Sequence, residues 1–258
     1  MPDHADAIVA RLPQDVRRDW ENLTHPAAAP PRFDPGQIVT LPVPVQRWLL
    51  RAIAPETPLA TTVTMHQHGR IDIRGWRRYR AAEVIGAEGY IWACATRIAG
   101  LPVRGYDRLV GDRADMVYRL VDRVRVVDES GPDLVRSAAG RLIGELCWVP
   151  AAALDSKLTW TAADDDSARV RTSWSGTTLD AVFTFDPSGD IASVAMRRWA
   201  SIDDEPYAWH DFGAQVHQTS TFGGFTIPSR VTVGYGYDGP DWPGCAFLEL
   251  TVDEARFV

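Results

Sequence analysis

From Thr61 onward the chain alternates apolar and polar side chains with a period of two, in one short run after another. That periodicity sends successive side chains to opposite faces, so each run reads as a strand with one face buried. In Thr62–Arg74 one face carries Val63, Met65, Gln67, Gly69, Ile71 and Ile73, and the other carries Thr62, Thr64, His66, His68, Arg70, Asp72 and Arg74. Similar runs cover Tyr79–Ile85, Tyr90–Ile98, Met116–Leu120 and Arg123–Val127. They resume at Leu158–Ala162, Ala168–Ser173, Leu179–Phe185, Ile191–Trp199, Ala214–Phe222, Thr226–Tyr237 and Ala246–Val252. Turn-forming clusters at Asp164 to Asp166, Asp186 to Gly189, Gly223-Gly224 and Asp238 to Pro240 separate several of them. Many short strands joined by short turns predict a mainly β (α+β) fold, an antiparallel meander arranged as a sandwich, a large curved sheet or an open half-barrel.

Three segments break this pattern with helical spacing. Asp6–Leu23 places Ile8, Val9, Leu12, Val16 and Trp20 near one face, with Pro13 expected to kink it or end its first half. A stiff, proline-rich linker is expected from His25 to Pro31. In Leu41–Ile53, Pro44 suits a first helical turn, and Val45, Trp48, Leu49 and Ala52 form an apolar stripe. The third helix, 132–149, interrupts the strands between Gly131-Pro132 and Pro150. Val135, Ala138, Ala139, Leu142, Leu146 and Val149 share a narrow arc on it, which must lie on the concave face of the sheet. The expected organisation is an N-terminal helical arm with linker over 1–36, then a single antiparallel β domain over 37–258.

The totals narrow the partners. At 258 residues a single domain can bury roughly three-quarters of its unfolded surface without disulfides or metals. A net charge of −7 disfavours a general nucleic-acid role. Lys157 is the one lysine among 27 cationic residues, which fits either codon bias or guanidiniums holding anions bidentately. Cys94, Cys147 and Cys245 form neither a disulfide framework nor a C-x-x-C, and fit reduced, buried thiols. Met1–Asn22 is charged throughout and lacks the apolar core of a signal peptide, and no apolar run reaches membrane-spanning length. Cytoplasmic localisation and no membrane insertion are therefore expected, with the oligomeric state left open.

Glu145 is the most suggestive polar residue. It falls about 60° from the centre of the helix's apolar arc, facing the sheet, and Arg141 one turn earlier can pair with it. A half-buried carboxylate of this kind suits a general acid or base; a structural ion pair between helix and sheet is the alternative. Leu101–Asp107 crowds Arg104, Tyr106 and Asp107 around Pro102 and Gly105, which reads as a shaped loop or strand bend. Arg104 and Tyr106 would steady developing negative charge, or Asp107 simply fixes the bend. Ten tryptophans offer either core packing or an aromatic-lined pocket, with Trp76, Trp92, Trp148 and Trp160 as candidate lining residues. His66 and His68 share a strand face, but Asp72 lies about 13 Å further along it, too far to complete a metal site. Asp164 to Asp166 lacks the spacing of a calcium loop and reads as a turn. No cofactor or metal is expected. G-x-S-x-G, Walker A and H-E-x-x-H are all absent from the sequence.

Several stretches resemble an uncharacterised bacterial family, a domain of unknown function: Leu41-Pro-x-x-Val-x-Arg-Trp48, Gly69-Arg-Ile71, Gly75-Trp76, Leu101-Pro-Val-x-Gly-x-Asp107, Gly131-Pro-Asp133, Ser137-Ala-x-Gly-Arg-Leu142, Glu145-x-x-Trp-x-Pro150, Trp160, Asp164 to Asp166 and Phe222-Gly-Gly-x-x-Ile-Pro-Ser-Arg230. The resemblance spans about residues 38–250. It implies a wrapped antiparallel sheet, similar in outline to the half-barrel of bacterial lipoprotein carriers, and carries no catalytic assignment. The two histidines and the helix up to about Thr24 lie outside its pattern.

The reading that follows is a protein that binds a hydrophobic or amphipathic small molecule between the curved sheet and the 132–149 helix. The alternative is a cofactor-independent enzyme of cyclase, isomerase or hydrolase type in the same pocket. Catalysis would then rest on Glu145, Asp107, Arg104 and Tyr106, and ligand contact on Arg141 and the four tryptophans.

Overall fold

A computed structural model describes residues 6–25, 30–203 and 205–258. Of the proline-rich linker expected from His25 to Pro31, residues 26–29 lie outside the described ones. Six strands form a first meander: β1 (Val63–Asp72), β2 (Trp76–Gly86), β3 (Gly89–Ile98), β4 (Leu101–Val110), β5 (Arg113–Leu120) and β6 (Val124–Ser130). Seven form a second: β7 (Thr159–Ala162), β8 (Ser167–Trp174), β9 (Thr177–Phe185), β10 (Ile191–Ala200), β11 (Ala208–Phe222), β12 (Phe225–Tyr235) and β13 (Ala246–Phe257). The first and last of these pair antiparallel, so that the described strands make one large antiparallel sheet in the order β6-β5-β4-β3-β2-β1-β13-β12-β11-β10-β9-β8-β7.

This order dictates the position of the third helix. β6 and β7 are consecutive in the chain yet stand at opposite edges of the sheet. The segment between them must therefore span the sheet's whole width. It does so as α4 (Pro132–Gly144), followed by 3₁₀ turns at Glu145–Trp148 and Pro150–Leu154. The helix was expected to run on to residue 149; instead regular α-geometry stops at Gly144 and the path tightens. The buried stripe also differs from the expected arc, consisting of Leu134, Ser137, Ala138, Ala139, Gly140 and Ile143. Val135, Leu142 and Leu146 are only partly buried. The rotation has a cause in the sheet below, where carboxylates draw Arg141 inward.

The helix of the Leu41–Ile53 stretch, α3 (Val43–Ala52), buries Pro44, Val45, Trp48, Leu49 and Ala52, the stripe its sequence predicts. Trp48 stacks on Phe183 and Phe185 and meets Trp160, anchoring α3 in the same core as α4. On the opposite face, α1 (Asp6–Val9) and α2 (Gln14–Thr24) are separated at Pro13. Leu12 and Val16 bury themselves against Val84, Ile91, Ala93 and Tyr106. The arm thus packs on the sheet, held as well by Arg108, whose fully buried guanidinium bridges Asp15, Asp19 and Asp115.

One strand escaped the periodicity. Leu101–Val110, expected as a shaped loop or bend, is β4, paired along its length with β3 and over most of it with β5. Gly105 does not turn the chain. A Cβ there would lie 2.1 Å from the Val117 carbonyl oxygen and 2.5 Å from the ring of Tyr118, so glycine is what lets that ring lie flat on the strand. Of the three cysteines, Cys94 and Cys147 are buried as expected, whereas Cys245 is exposed.

Candidate functional site

Where α4 crosses the first meander, four charged side chains meet under cover. Pairing registers put Glu83 of β2 and Asp107 of β4 on the face that looks toward the helix, flanking Trp92 of β3. From above, Arg141 and Glu145 descend one turn apart. The Arg141 guanidinium donates to Glu83 Oε1 at 2.5 Å, to Asp107 Oδ2 at 3.1 Å and to Glu145 Oε1. Its flat faces are used too, lying 4.5 Å from the Tyr90 ring centroid and 5.4 Å from that of Trp92. The remaining valences are mostly filled: Gln67 donates to Glu83 Oε2 at 2.6 Å, Trp92 Nε1 to Gln67 Oε1 at 3.2 Å, and Tyr118 to Asp107 Oδ1 at 2.9 Å. Two buried atoms find no protein partner, Glu145 Oε2 and the Tyr79 hydroxyl.

Three carboxyls share one contacting guanidinium here, with Arg198 acting on Asp107 and Glu145 from farther off, and burial penalises every charge not neutralised. Burial and the neighbouring Glu145 push Glu83 up to about 8, against the pull of Arg141. Burial likewise raises Asp107 and Glu145 above their ordinary values. At neutral pH the Glu83–Glu145 pair therefore retains a proton that an exposed pair would lose.

This has a measurable consequence for stability. Glu83 titrates near 4.5 when exposed and near 8 when folded. Between those values the native state binds a proton that the unfolded chain does not, so the stabilisation present below the lower value is lost as pH rises through the upper one. The urea midpoint should fall from pH 5.5 to pH 8.5, and Glu83→Gln should flatten that slope. An unchanged slope in the variant would remove Glu83 from the titrating network.

The expected site residues divide between the two faces of the sheet. Glu145, Asp107 and Arg141 come together, with Trp92 beside them. Arg104 and Tyr106, next to Asp107 in the chain, point the other way because neighbours on a strand alternate. Arg104 pairs with Asp122 at 2.7 Å, and Tyr106 packs beneath the N-terminal helices. They cannot steady charge at Glu145, and this corrects the four-residue catalytic set. The tryptophans also disperse. Trp148 bonds the Pro228 carbonyl, and Trp160 bonds that of Ala153 while packing on Trp48. Trp76 is at the start of β2 beside Arg70 on the opposite face. They are core and surface residues, so the aromatic-lined pocket expected of them does not form. Glu83, the sheet's central acid, was missed. Its signal was a lone glutamate in the otherwise apolar Ala81–Ile85 run. His68 pairs with Asp253 at 2.8 Å and His66 approaches Glu254. Among the described residues no group of three or more His, Cys, Asp or Glu is placed to hold a metal ion.

A hollow of about 600 Å³ lies on the other flank of α4. Its origin is a parting of strands: β9 and β10 pair only through Ala181–Phe185 and Ile191–Met196, and beyond that Thr177–Asp180 and Arg197–Ala200 diverge. Gly140 and Ile143 of α4 border the gap with Leu179, Met196 and Phe212. At its mouth the Arg136 guanidinium stands 4.8 Å from the Trp199 ring and 5.1 Å from that of Trp209, with its buried Nε unpartnered.

A family model matches residues 31–247, most of the chain and both sides of this architecture. The chain belongs to DUF6544, a family of unknown function. No curated protein matches it. Solved structures similar to this DUF6544 chain include a domain from Vibrio parahaemolyticus described as an outer membrane lipoprotein-sorting protein, at 9% identity and a TM-score of 0.42, covering 76% of this chain and 85% of that one. A DUF1329 family protein from Desulfovibrio piger aligns at 10% identity and 0.44, covering 77% and 86%. A LolA superfamily protein from Nitrosomonas europaea aligns at 9% and 0.42, covering 83% and 92%.

Proposed function

We propose that the protein binds an amphipathic small molecule, its apolar part in the hollow between α4 and strands β9 to β11 and its anionic head at Arg136. The observation that carries this is the hollow itself. Its volume of about 600 Å³ falls in the range of small-molecule sites, and of its charged lining Arg169 pairs with Asp180 and Arg197 with Asp211, leaving Arg136 and Asp238. Arg136 supplies a buried donor free to take an acceptor. The same general placement, between curved sheet and helix, follows from the sequence, although with different lining residues.

Titration with fatty acids of graded chain length tests the reading. Affinity should rise with length until the hollow is filled. Ala195→Phe, which introduces a ring into the lining, should weaken binding at least tenfold with the thermal midpoint nearly unchanged. Arg136→Gln should weaken acids more than the matching alcohols. If no amphiphile binds, or if Ala195→Phe binds as well as the parent, the proposal fails.

A second reading, cofactor-free acid/base catalysis, is favoured by one observation: a carboxyl pushed up to about 8 beside the unpartnered Oε2 of Glu145. Recovering a bound ligand chemically unchanged after prolonged incubation would dismiss it; conversion abolished by Glu145→Gln would uphold it.

A further inference from the structure

The face of the sheet opposite α4 carries a second cleft, of about 1120 Å³, between the N-terminal helix α1 and strands β1–β4 and β11–β13. Its charge is opposite to that of the whole molecule. Seven arginines and two histidines line it against one glutamate, in a chain whose net charge is −7. Pairing registers align a row across six strands: Arg230, Thr251, His68, Arg80, Ala95 and Arg104. With strands about 4.8 Å apart, Arg230 and Arg80 stand about 14 Å from each other, and Arg80 and Arg104 about 10 Å. The small side chains of Thr251 and Ala95 between them leave room above the sheet.

Not all of this charge is compensated. Arg70 is held by Glu249, and Arg104 and Arg11 by Asp122. Arg97 donates to the Gly100 carbonyl. Arg78, Arg80 and Arg230 are exposed and engage no acceptor among the described residues. Three uncompensated guanidiniums within about 15 Å repel one another unless an anion joins them. A guanidinium fork matches phosphate oxygens in geometry as well as charge. The lining offers a nucleobase no phenyl, phenol or indole face: Tyr79 turns its ring to the other side against Trp92, and of the two histidines His68 pairs with Asp253 and His217 meets Thr232.

We infer that this cleft is a binding site for a ligand carrying several phosphoryl groups, bridged by Arg78, Arg80 and Arg230. Such groups reach a protein either on a soluble oligophosphate or as the headgroups of anionic phospholipids. The test uses the full chain and three probes: sodium tripolyphosphate and a single-stranded oligonucleotide by calorimetry, and vesicles of phosphatidylglycerol against phosphatidylcholine by co-sedimentation. Arg80→Gln combined with Arg230→Gln should weaken whichever probe binds by at least tenfold and reduce the salt dependence of binding, with the thermal midpoint retained. Arg17→Gln combined with Arg18→Gln, the same charge change on α2 outside the cleft lining, should have little effect. Tripolyphosphate binding assigns the soluble source, vesicle binding alone assigns the headgroup, and binding of both assigns the phosphoryl chemistry they share. The inference is overturned if no probe binds, if only the single-stranded oligonucleotide binds, or if the two double variants behave alike.

Discussion

Replacing Arg141 by methionine is expected to cost about 3–5 kcal/mol of stability, because it strips the one guanidinium from three buried carboxyls. Glu83, Asp107 and Glu145 would remain within reach of one another under α4, with only the more distant Arg198 to offset Asp107 and Glu145. Methionine fills comparable space, so the loss reports charge more than volume. Two further measurements separate these causes. The deficit should shrink from pH 8 to pH 5, as protonation relieves the carboxylates, and adding Glu83→Gln with Glu145→Gln should restore part of the lost stability. An unfolding free energy within about 1 kcal/mol of the parent's at pH 8 would mean that water already solvates the cluster.

Trp48→Ala should be comparably severe, at about 3–5 kcal/mol. The indole is almost wholly buried, with Phe183, Phe185 and Trp160 all within 6.0 Å of it between ring centroids. Truncation leaves a cavity bordered by three aromatic rings on rigid strands, which cannot close it. Trp48→Phe should recover most of the loss. Since Trp160 also ties the Pro150–Leu154 turn through Ala153, the near-ultraviolet dichroism of the alanine variant should fall along with its melting temperature. Retention of both would place the anchoring of α3 elsewhere.

The strands were legible because their period of two is set by burial of one face, and twelve of the thirteen were marked by it. β4 was not, since its Pro102 and Gly105 carry turn chemistry in the sequence and close-packing roles in the sheet. The stripe on α3 was legible for a similar reason: a helix against one core shows one arc. α4 is different. It crosses a concave channel with charged groups below it, and the pull on Arg141 rotates the buried face in a way that hydrophobicity alone does not encode. Glu145 and Asp107 were found because each stands out locally. Glu83 joins them only through pairing between strands, and Arg104 and Tyr106 were misjudged because Leu101–Asp107 reads as a bend, whereas the strand it forms sends them to the face opposite Asp107. The hollow beside α4 arises where two strands cease to pair, which no short-range pattern announces.

The thirteenth of the described strands, β13, does not close an edge but fills the centre, between β1 and β12. Val63 meets Phe257 across almost the whole length of the domain. Until β13 is in place, β1 and β12 each present a raw, hydrogen-bond-hungry border in the middle of the sheet. Such distant partners are slow to find each other, and a nascent chain stalled just short of them is in the condition most prone to pairing with a stranger.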